Sequence, residues 1–365
     1  MNNGQISPRQ LSIMIVMFGL GSAALIVPPI VTSIAKQDAW ISELIACAFM
    51  AVLMAIYYGL AKHFPNQSIV QVSQRVAGRW LGFAIGALFV LYFLLLSALV
   101  LRNIGDFIHN AILAETPIQV TFITFMIAVA YGAVLGIEVA ARSGELLYIV
   151  VVVITVVLAA FMMYDVRASN ILPLMPHGIL PAVKGAYPLL GFPIAELVIF
   201  LMFMPFVCKR GRIGLSLTVG WLLLTMAGLA IAVLSIMVLG VMETARSAYP
   251  VYDMAREIKI GGFLERLEVL AGLIWISTIF MKLLLCVLAS TIGIAQLFRL
   301  SDYKRLVLPV AIILVPVASI VYTNPAKYLW FAFGVWTIIS VTMGAVLPLL
   351  LLLVAKLRRL KPDRM

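Results

Sequence analysis

The stretch Phe18-Gly-Leu-Gly-Ser-Ala-Ala-Leu-Ile-Val-Pro-Pro29 lies inside the first long apolar segment of the chain. Residues 10–35 carry no charge, and they exceed the roughly 20 apolar residues that cross a bilayer. The segment nevertheless contains residues that weaken a helix, namely Gly19, Gly21, Ser22, Pro28 and Pro29. Unwound backbone at membrane depth is tolerated only where it is buried in protein or lines a cavity. The pattern therefore predicts a discontinuous first helix beside a ligand site.

The composition indicates a membrane protein with many spans. Hydrophobic residues make up 64% of the 365 positions and charged residues only 11%, with a mean hydropathy of +1.13. These values exclude a soluble domain. The net charge of +11 is typical of the positive-inside bias of membrane proteins, so we expect no nucleic acid partner. The three cysteines and three histidines have no metal-ligand or disulfide spacing, and we expect no metal or cofactor.

Ten apolar segments are long enough to span a bilayer. They fall near residues 10–35, 40–61, 80–103, 117–138, 145–164, 184–207, 213–242, 265–297, 305–323 and 328–355. With the N-terminus inside, 16 of the 26 basic residues lie in the inner connections and the tail. The sequence therefore predicts that both termini are cytoplasmic.

The sixth span is the second irregular one, because it contains Gly185, Pro188, Gly191 and Pro193. Breaks in spans 1 and 6 of ten are typical of transporters built from two inverted five-span repeats, with the ligand site at the membrane midplane. We expect a single transmembrane domain over residues 1–365, with repeats at about 8–165 and 183–356 and a basic tail at 357–365. A pair of merely kinked helices is the alternative.

Two charged residues lie near the middle of predicted spans, far from the span ends, and such residues are functional candidates because they are costly in a membrane. Glu196 follows the second break, and Lys282 lies in the eighth span. They could pair with each other, or Lys282 could bind a ligand carboxylate or exchange a proton. A structural ion pair or a snorkelling side chain is the alternative. Tyr92 could offer a hydroxyl to a ligand or only pack, and Thr278 could form hydrogen bonds locally or across helices.

Two connections are more than turns. Residues 62–79 place Ile69, Val72 and Val76 at helical spacing, which predicts a short amphipathic helix or, alternatively, a solvated loop. Residues 243–268 mix charges of both signs with aromatic residues, which suits a lid, a partner surface or a solvated loop. No nucleophile triad, phosphate loop or paired-carboxylate site occurs in the sequence, so an enzyme is not expected.

Several motifs resemble the spore germination permeases, the B-type membrane subunits of germinant receptors in endospore-forming bacteria, within the amino acid–polyamine–organocation superfamily. The resemblance covers nearly the whole chain. The motifs that carry it are Gly19-Leu-Gly-Ser22 with Pro28, Glu115-Thr-Pro-Ile-Gln119, Pro250-Val-Tyr252, and Gly262-Phe-Leu-Glu-Arg-Leu-Glu268 followed by Trp275 and Lys282.

This resemblance implies an all-α, LeuT-like fold of about ten helices in the inner membrane of the spore. It also implies a small nutrient ligand, commonly an amino acid, and partner subunits of the A and C types. From the resemblance and the local patterns together, the expected ligand-binding residues are Gly19, Gly21, Ser22, Tyr92, Leu96, Gly191, Phe192, Glu196, Thr278, Lys282 and Cys286. Lys282 and Cys286 depart from some family members, so the nutrient need not be L-alanine. Pro193 and Pro205 leave the exact position of the second break open.

Three functions compete. The first is a nutrient receptor subunit, in which ligand binding shifts a conformational equilibrium that partner subunits detect. The second is a proton-coupled amino-acid transporter of the same fold, with Glu196 or Lys282 carrying the proton. The third is an ion or water channel through the same cavity.

Overall fold

The computed structural model describes residues 4–257, 266–322 and 331–360, with all of their side chains except those of Ser22, Leu25, Ala332 and Phe333. Nearly all of this part is helical, and it contains one isolated bridge, between Ile6 and Val207. The α-helices are, in chain order, α1 (Pro8–Ala35), α2 (Ala39–His63), α3 (Ile69–Ala77), α4 (Arg79–Phe107), α5 (Ile118–Leu135), α6 (Ile137–Met162), α7 (Leu180–Leu189), α8 (Phe200–Phe203), α9 (Ile213–Arg246), α10 (Pro250–Glu257), α11 (Glu268–Leu297), α12 (Lys304–Ile320), α13 (Thr337–Val341) and α14 (Leu347–Leu357).

Eight helical segments within the described residues are long and apolar enough to cross a membrane. That number treats residues 26–63 as one segment, although α1 and α2 are separated by a turn at Lys36, where φ is 55°. It also leaves out α12, which has 17 residues and lies at the lower limit for a span. With α1 and α2 separated and α12 included, the spans correspond to the ten expected from the sequence.

Local signals in the sequence explain where several helices begin. Ser7 caps α1 and Ser68 caps α3, each in a reciprocal capping box with the glutamine three residues later. Gly136 separates α5 from α6 with a φ of 99°, a backbone conformation that glycine adopts without steric cost. These signals place the turns between the apolar runs.

Helix α11 forms the centre of the bundle. Every residue from Met281 to Gly293 is buried, which is expected of a helix that is surrounded by other helices on all sides. Helix α1 packs between α9 and α11, and α4 packs on another side of α11. The functional candidates on α11 therefore lie deep inside the protein.

The predicted break in the first span is wrong, because α1 is continuous from Pro8 to Ala35. Its glycines serve close helix packing instead. A Cβ atom at Gly19 would lie 2.3 Å from Leu224 Cδ2, and one at Gly21 would lie 2.9 Å from Lys282 Cβ. Since the backbone amides near Gly19 and Gly21 lie within the helix, they do not form the free carboxylate cradle that a break would create.

The predicted break in the sixth span is confirmed. Helix α7 ends at Leu189, and Phe192 adopts extended dihedrals, with φ −132° and ψ 112°. The chain then runs through a 3-10 segment, Ala195–Ile199, into α8. Glu196 lies in the first turn of this segment. The break therefore directs a carboxylate into the bundle.

The amphipathic helix predicted in the second connection is confirmed as α3, with Ile69, Val72 and Val76 on its buried side. In the connection at 243–268, residues 258–265 lie outside the described part of the chain, whereas the short helix α10 packs on α9 and α11. This end of the bundle is the one predicted to face outward.

Candidate ligand site

A buried ion pair joins α11 to the broken span. Lys282 Nζ lies 2.6 Å from Glu196 Oε2, and both side chains are 0% exposed. An unpaired charge inside a membrane protein is costly, so each residue stabilises the charged form of the other. The sequence left open whether Lys282 and Glu196 pair with each other or act separately. In the structure they pair with each other.

The second oxygen of Glu196 is also occupied. Trp336 Nε1 donates a hydrogen bond of 2.8 Å to Glu196 Oε1. The Trp336 ring stacks on Tyr92, with centroids 5.3 Å apart and 12° between the planes, and the Tyr92 hydroxyl donates to Ser340 Oγ at 3.1 Å. The carboxylate thus connects the broken span to α11, α4 and the last span.

Two aromatic rings contact the Lys282 ammonium. Its Nζ lies 4.9 Å from the ring centroid of Phe18 on α1 and 4.8 Å from that of Phe192. Phe192 is the residue with extended backbone in the break, so the break itself brings this ring to the ammonium. Aromatic faces beside a carboxylate are a typical environment for a bound ammonium group.

The cavity beside this cluster is nearly closed. Its volume is about 20 Å³, which is space for roughly one water molecule. The lining residues are Leu96, Leu99, Val100, Asn103, Phe192, Glu196, Phe331 and Trp336. A ligand the size of an amino acid therefore requires a conformation in which some of these side chains have moved.

Side chains and backbone pack together at both ends of the bundle beyond the site. At the α10 end, Phe107 packs edge-on against Trp275, with centroids 4.3 Å apart, and against Tyr249 at 5.1 Å. Burial raises the pKa of Tyr249 from 10 to about 12, so its hydroxyl stays protonated even in mildly alkaline solution. At the opposite end, the Ile6 amide donates to the Phe206 carbonyl at 2.9 Å. The Lys282–Glu196 pair is shielded from solvent in this conformation, since both side chains are 0% exposed.

The structure brings five of the predicted site residues into one cluster, namely Tyr92, Leu96, Phe192, Glu196 and Lys282. Ligand binding by these residues stays a prediction.

The other predicted site residues occupy less direct positions. Thr278 bonds to carbonyls of its own helix, those of Ile274 and Trp275. Gly191 packs against Thr337, and Cys286 is buried one turn beyond Lys282. Gly21 packs on Lys282, whereas Gly19 faces Leu224. The side chain of Ser22 lies outside the described part.

Sequence reasoning missed three aromatic participants, which are Phe18, Phe331 and Trp336. Trp336 provided a signal, because an indole N–H inside an apolar span needs an acceptor when it is buried. The spacing of Trp336 and Ser340, four residues apart, also places their side chains on one helix face. Phe18 and Phe331 resemble ordinary core residues and gave no comparable signal.

Comparisons with known proteins match nearly the whole chain. The family model described as "Spore germination protein" matches residues 5–328. Spore germination protein KB of Bacillus subtilis (strain 168) is 30% identical over 335 residues, which cover 90% of this chain and 88% of that protein. Spore germination protein YndE of the same organism is 26% identical over 360 residues, which cover 97% of this chain and 97% of that protein.

Solved structures of transporters share the fold. Mhp1, described as a nucleobase-cation-symport-1 family transporter in a closed conformation with bromovinylhydantoin bound, aligns with a TM-score of 0.64 at 14% identity, over 94% of this chain and 79% of that one. MhsT in complex with L-phenylalanine aligns with a TM-score of 0.62 at 14% identity, over 96% of this chain and 97% of that one. These likenesses confirm the LeuT-like fold. The chain is a multi-pass integral membrane protein and belongs to the spore germination protein family.

Proposed function

We propose that the chain is the membrane subunit of a spore germinant receptor, which binds a small nutrient, specifically an amino acid, and triggers germination with subunits of the A and C types. The observation that carries this proposal is the buried pair of Lys282 and Glu196 at the break in the sixth span. Membership of the spore germination protein family supports the role in germination. The likeness to MhsT, described with L-phenylalanine bound, supports an amino acid as the ligand class.

The ion pair favours a ligand that carries both charges. Separating Lys282 from Glu196 leaves two buried charges, and each unpaired charge is strongly destabilising. An amino acid can satisfy both, because its carboxylate meets the Lys282 ammonium and its ammonium meets the Glu196 carboxylate. The stacked rings of Tyr92 and Trp336 then border the ligand side chain. A ligand with one charge leaves one protein charge unpaired.

Ligand entry couples the site to the shape of the protein. The cavity of about 20 Å³ requires Trp336 or Phe331 to move, and Trp336 is bonded directly to Glu196. Binding therefore favours a more open conformation and shifts the population toward it. Partner subunits that contact the last span or α10 could detect that shift.

The proposal is tested by thermal unfolding of the purified full-length chain with each of the common amino acids. A ligand at about 100 times its dissociation constant stabilises the folded state by about 2.7 kcal/mol. We expect a rise in Tm for one or a few amino acids, and loss of that rise in the double variant Lys282→Met/Glu196→Gln. The control is Lys62→Met, which alters an exposed lysine. An equal rise in the double variant contradicts binding at this pair.

A proton-coupled amino-acid transporter is the second candidate, since the fold is shared with cation symporters such as the Na+-coupled sialic acid symporter. Counterflow of radiolabelled amino acid in proteoliposomes that contain only this chain separates the two functions. A receptor subunit gives saturable binding without exchange. Robust, saturable exchange contradicts a receptor-only role and supports transport.

We also propose that the protein lies in the spore inner membrane with both termini in the cytoplasm. The excess of basic residues in the predicted inner connections supports this orientation. A C-terminal fusion to a reporter that is active only in the cytoplasm should be active in sporulating cells. The control is a fusion of the same reporter after the first two spans. If that control is active and the C-terminal fusion is inactive, the proposed orientation is contradicted.

A further inference from the structure

A second intramembrane carboxylate, that of Glu43, lies away from the Lys282 cluster. Glu43 is in the second turn of α2, and its side chain points toward α9, since a Cβ at Gly228 would lie 3.2 Å from Glu43 Oε2. Within the described residues it forms no ion pair with a basic side chain. An ionised carboxylate without a positive partner is costly inside a membrane.

Glu43 borders its own cavity of about 50 Å³, between α1, α2, α9 and the break in the sixth span. This volume accommodates a few water molecules or a small cation, but not an amino acid. The carboxylate, Thr225 on α9, and Ala24 and Pro28 on α1 all line this cavity. It is therefore distinct from the proposed nutrient site in size and in lining.

The prolines of α1 supply further oxygen donors. Pro28 and Pro29 have no N–H group, so the carbonyl oxygens of residues 24 and 25 have no helical donor four residues later. Residue 24 lines the cavity. Carboxylate, released carbonyl and hydroxyl oxygens are the groups that hold protons and sodium ions in discontinuous membrane folds.

The cavity provides no positive charge of its own. Its lining residues on α1, α9 and the break include no lysine, arginine or histidine, and its other titratable side chain is Cys47, one turn beyond Glu43. A single positive charge balances a single carboxylate, whereas a divalent ion leaves an excess positive charge. The site thus suits a monovalent cation.

We propose that Glu43 binds one monovalent cation, either a proton or a small alkali ion, in the cavity between α1, α2 and α9. Pro193 and Ile194 also line this cavity, and they precede Glu196 by three and two residues. Occupancy by the cation therefore acts directly on the segment that carries the nutrient-site carboxylate. This couples the two sites through the broken span.

The experiment measures the Tm of the full-length chain in nanodiscs, without nutrient. The salt is sodium, potassium or choline chloride at the same ionic strength, and each salt is tested in an acidic and in an alkaline buffer. We expect the wild type to be stabilised by a few degrees by sodium or by acid. Acid stabilises if the folded chain holds a proton that the unfolded chain releases, so that stability falls as pH rises. The isosteric variant Glu43→Gln should lose this dependence, because the amide needs no counter-charge.

Two further variants keep the test decisive. Glu115→Gln changes an exposed loop carboxylate and should retain the full dependence. Gly228→Ala places a methyl group 3.2 Å from Glu43 Oε2 and should shift the half-saturating cation concentration upward several-fold, even if Glu43→Gln fails to fold.

Each outcome has a defined meaning. A response to sodium alone identifies an alkali-ion site, and a response to acid alone identifies a proton site. A wild type that responds to neither, or a Glu43→Gln response equal to that of the wild type, overturns the proposal. Because no nutrient is present, that failure leaves the proposed nutrient site untouched.

Discussion

Two stretches that both contain glycines and prolines fold differently in this protein. Residues 18–29 remain inside the continuous helix α1, whereas residues 185–193 contain the point where the sixth span breaks, at Phe192. The glycines of α1 face neighbouring helices, with Gly19 against Leu224 and Gly21 against Lys282. Their absent side chains allow close packing, which is a principal source of helix association in a membrane.

The broken stretch differs because a charged residue lies just beyond it. Glu196 comes directly after the break and bonds to Lys282 and Trp336. A regular helix through Phe192 would point these side chains differently, so the hydrogen bonds of Glu196 hold the irregular backbone. Glycine and proline make a break tolerable, and the hydrogen bonds of Glu196 stabilise it in the sixth span.

The largest expected effect is on the ion pair that holds the break. Removing one partner of a buried pair leaves an uncompensated charge and costs about 3–5 kcal/mol of unfolding free energy. Lys282→Met should therefore lower Tm strongly in thermal unfolding of the purified chain. The double variant Lys282→Met/Glu196→Gln should recover most of the loss. A single variant as stable as the wild type contradicts the role of the pair.

The next effect concerns the second bond to the same carboxylate. Trp336→Phe removes the indole N–H that donates to Glu196 Oε1. A hydrogen bond to a charged group contributes about 1.5–3 kcal/mol, so we expect a loss of that size by chemical denaturation. Tyr92→Phe is the matched control, because it removes a neutral bond to Ser340 worth about 0.5–1.5 kcal/mol. If Trp336→Phe and Tyr92→Phe lose the same unfolding free energy, the bond to the Glu196 carboxylate is no stronger than a neutral one.

The third effect tests the interpretation of the α1 glycines. A Cβ at Gly21 would lie 2.9 Å from Lys282 Cβ and 3.0 Å from the Thr278 carbonyl oxygen. Overpacking of this kind costs about 1–3 kcal/mol, so Gly21→Ala should lower Tm. Gly211→Ala is the control, because its Cβ meets nothing within 4 Å. If both variants keep the wild-type Tm, close packing is not the reason for glycine at position 21.

Much of the fold could be predicted from the sequence, because apolar length and turn residues determine it directly. The spans, the amphipathic helix α3 and the break before Glu196 all follow from local patterns. The close packing of the α1 glycines could not be predicted, because it involves Leu224 and Lys282, which are distant in sequence. The repeat boundaries near 8–165 and 183–356 stay predictions.

The candidate site was predictable only where residues break a local rule. Glu196 and Lys282 stood out as charges in apolar spans, although their pairing requires the folded arrangement of two distant helices. Phe18 obeys every rule for a core residue, so its contact with the Lys282 ammonium had no sequence signal. Glu43 was overlooked because it lies near the end of its span, where a charge is less conspicuous.

The smallest expected effect separates the prolines of the two stretches. Pro28→Ala restores a helical donor to α1 but increases the freedom of the unfolded chain, which costs about 0.4–1 kcal/mol. The two terms oppose each other, and we expect the unfolding free energy to stay within about 1 kcal/mol of the wild type. Pro193→Ala should instead weaken nutrient-induced stabilisation, since Pro193 stands in the break before Glu196. Equal effects of the two substitutions on ligand-induced Tm shifts would mean that the continuous and the broken helix contribute alike to binding.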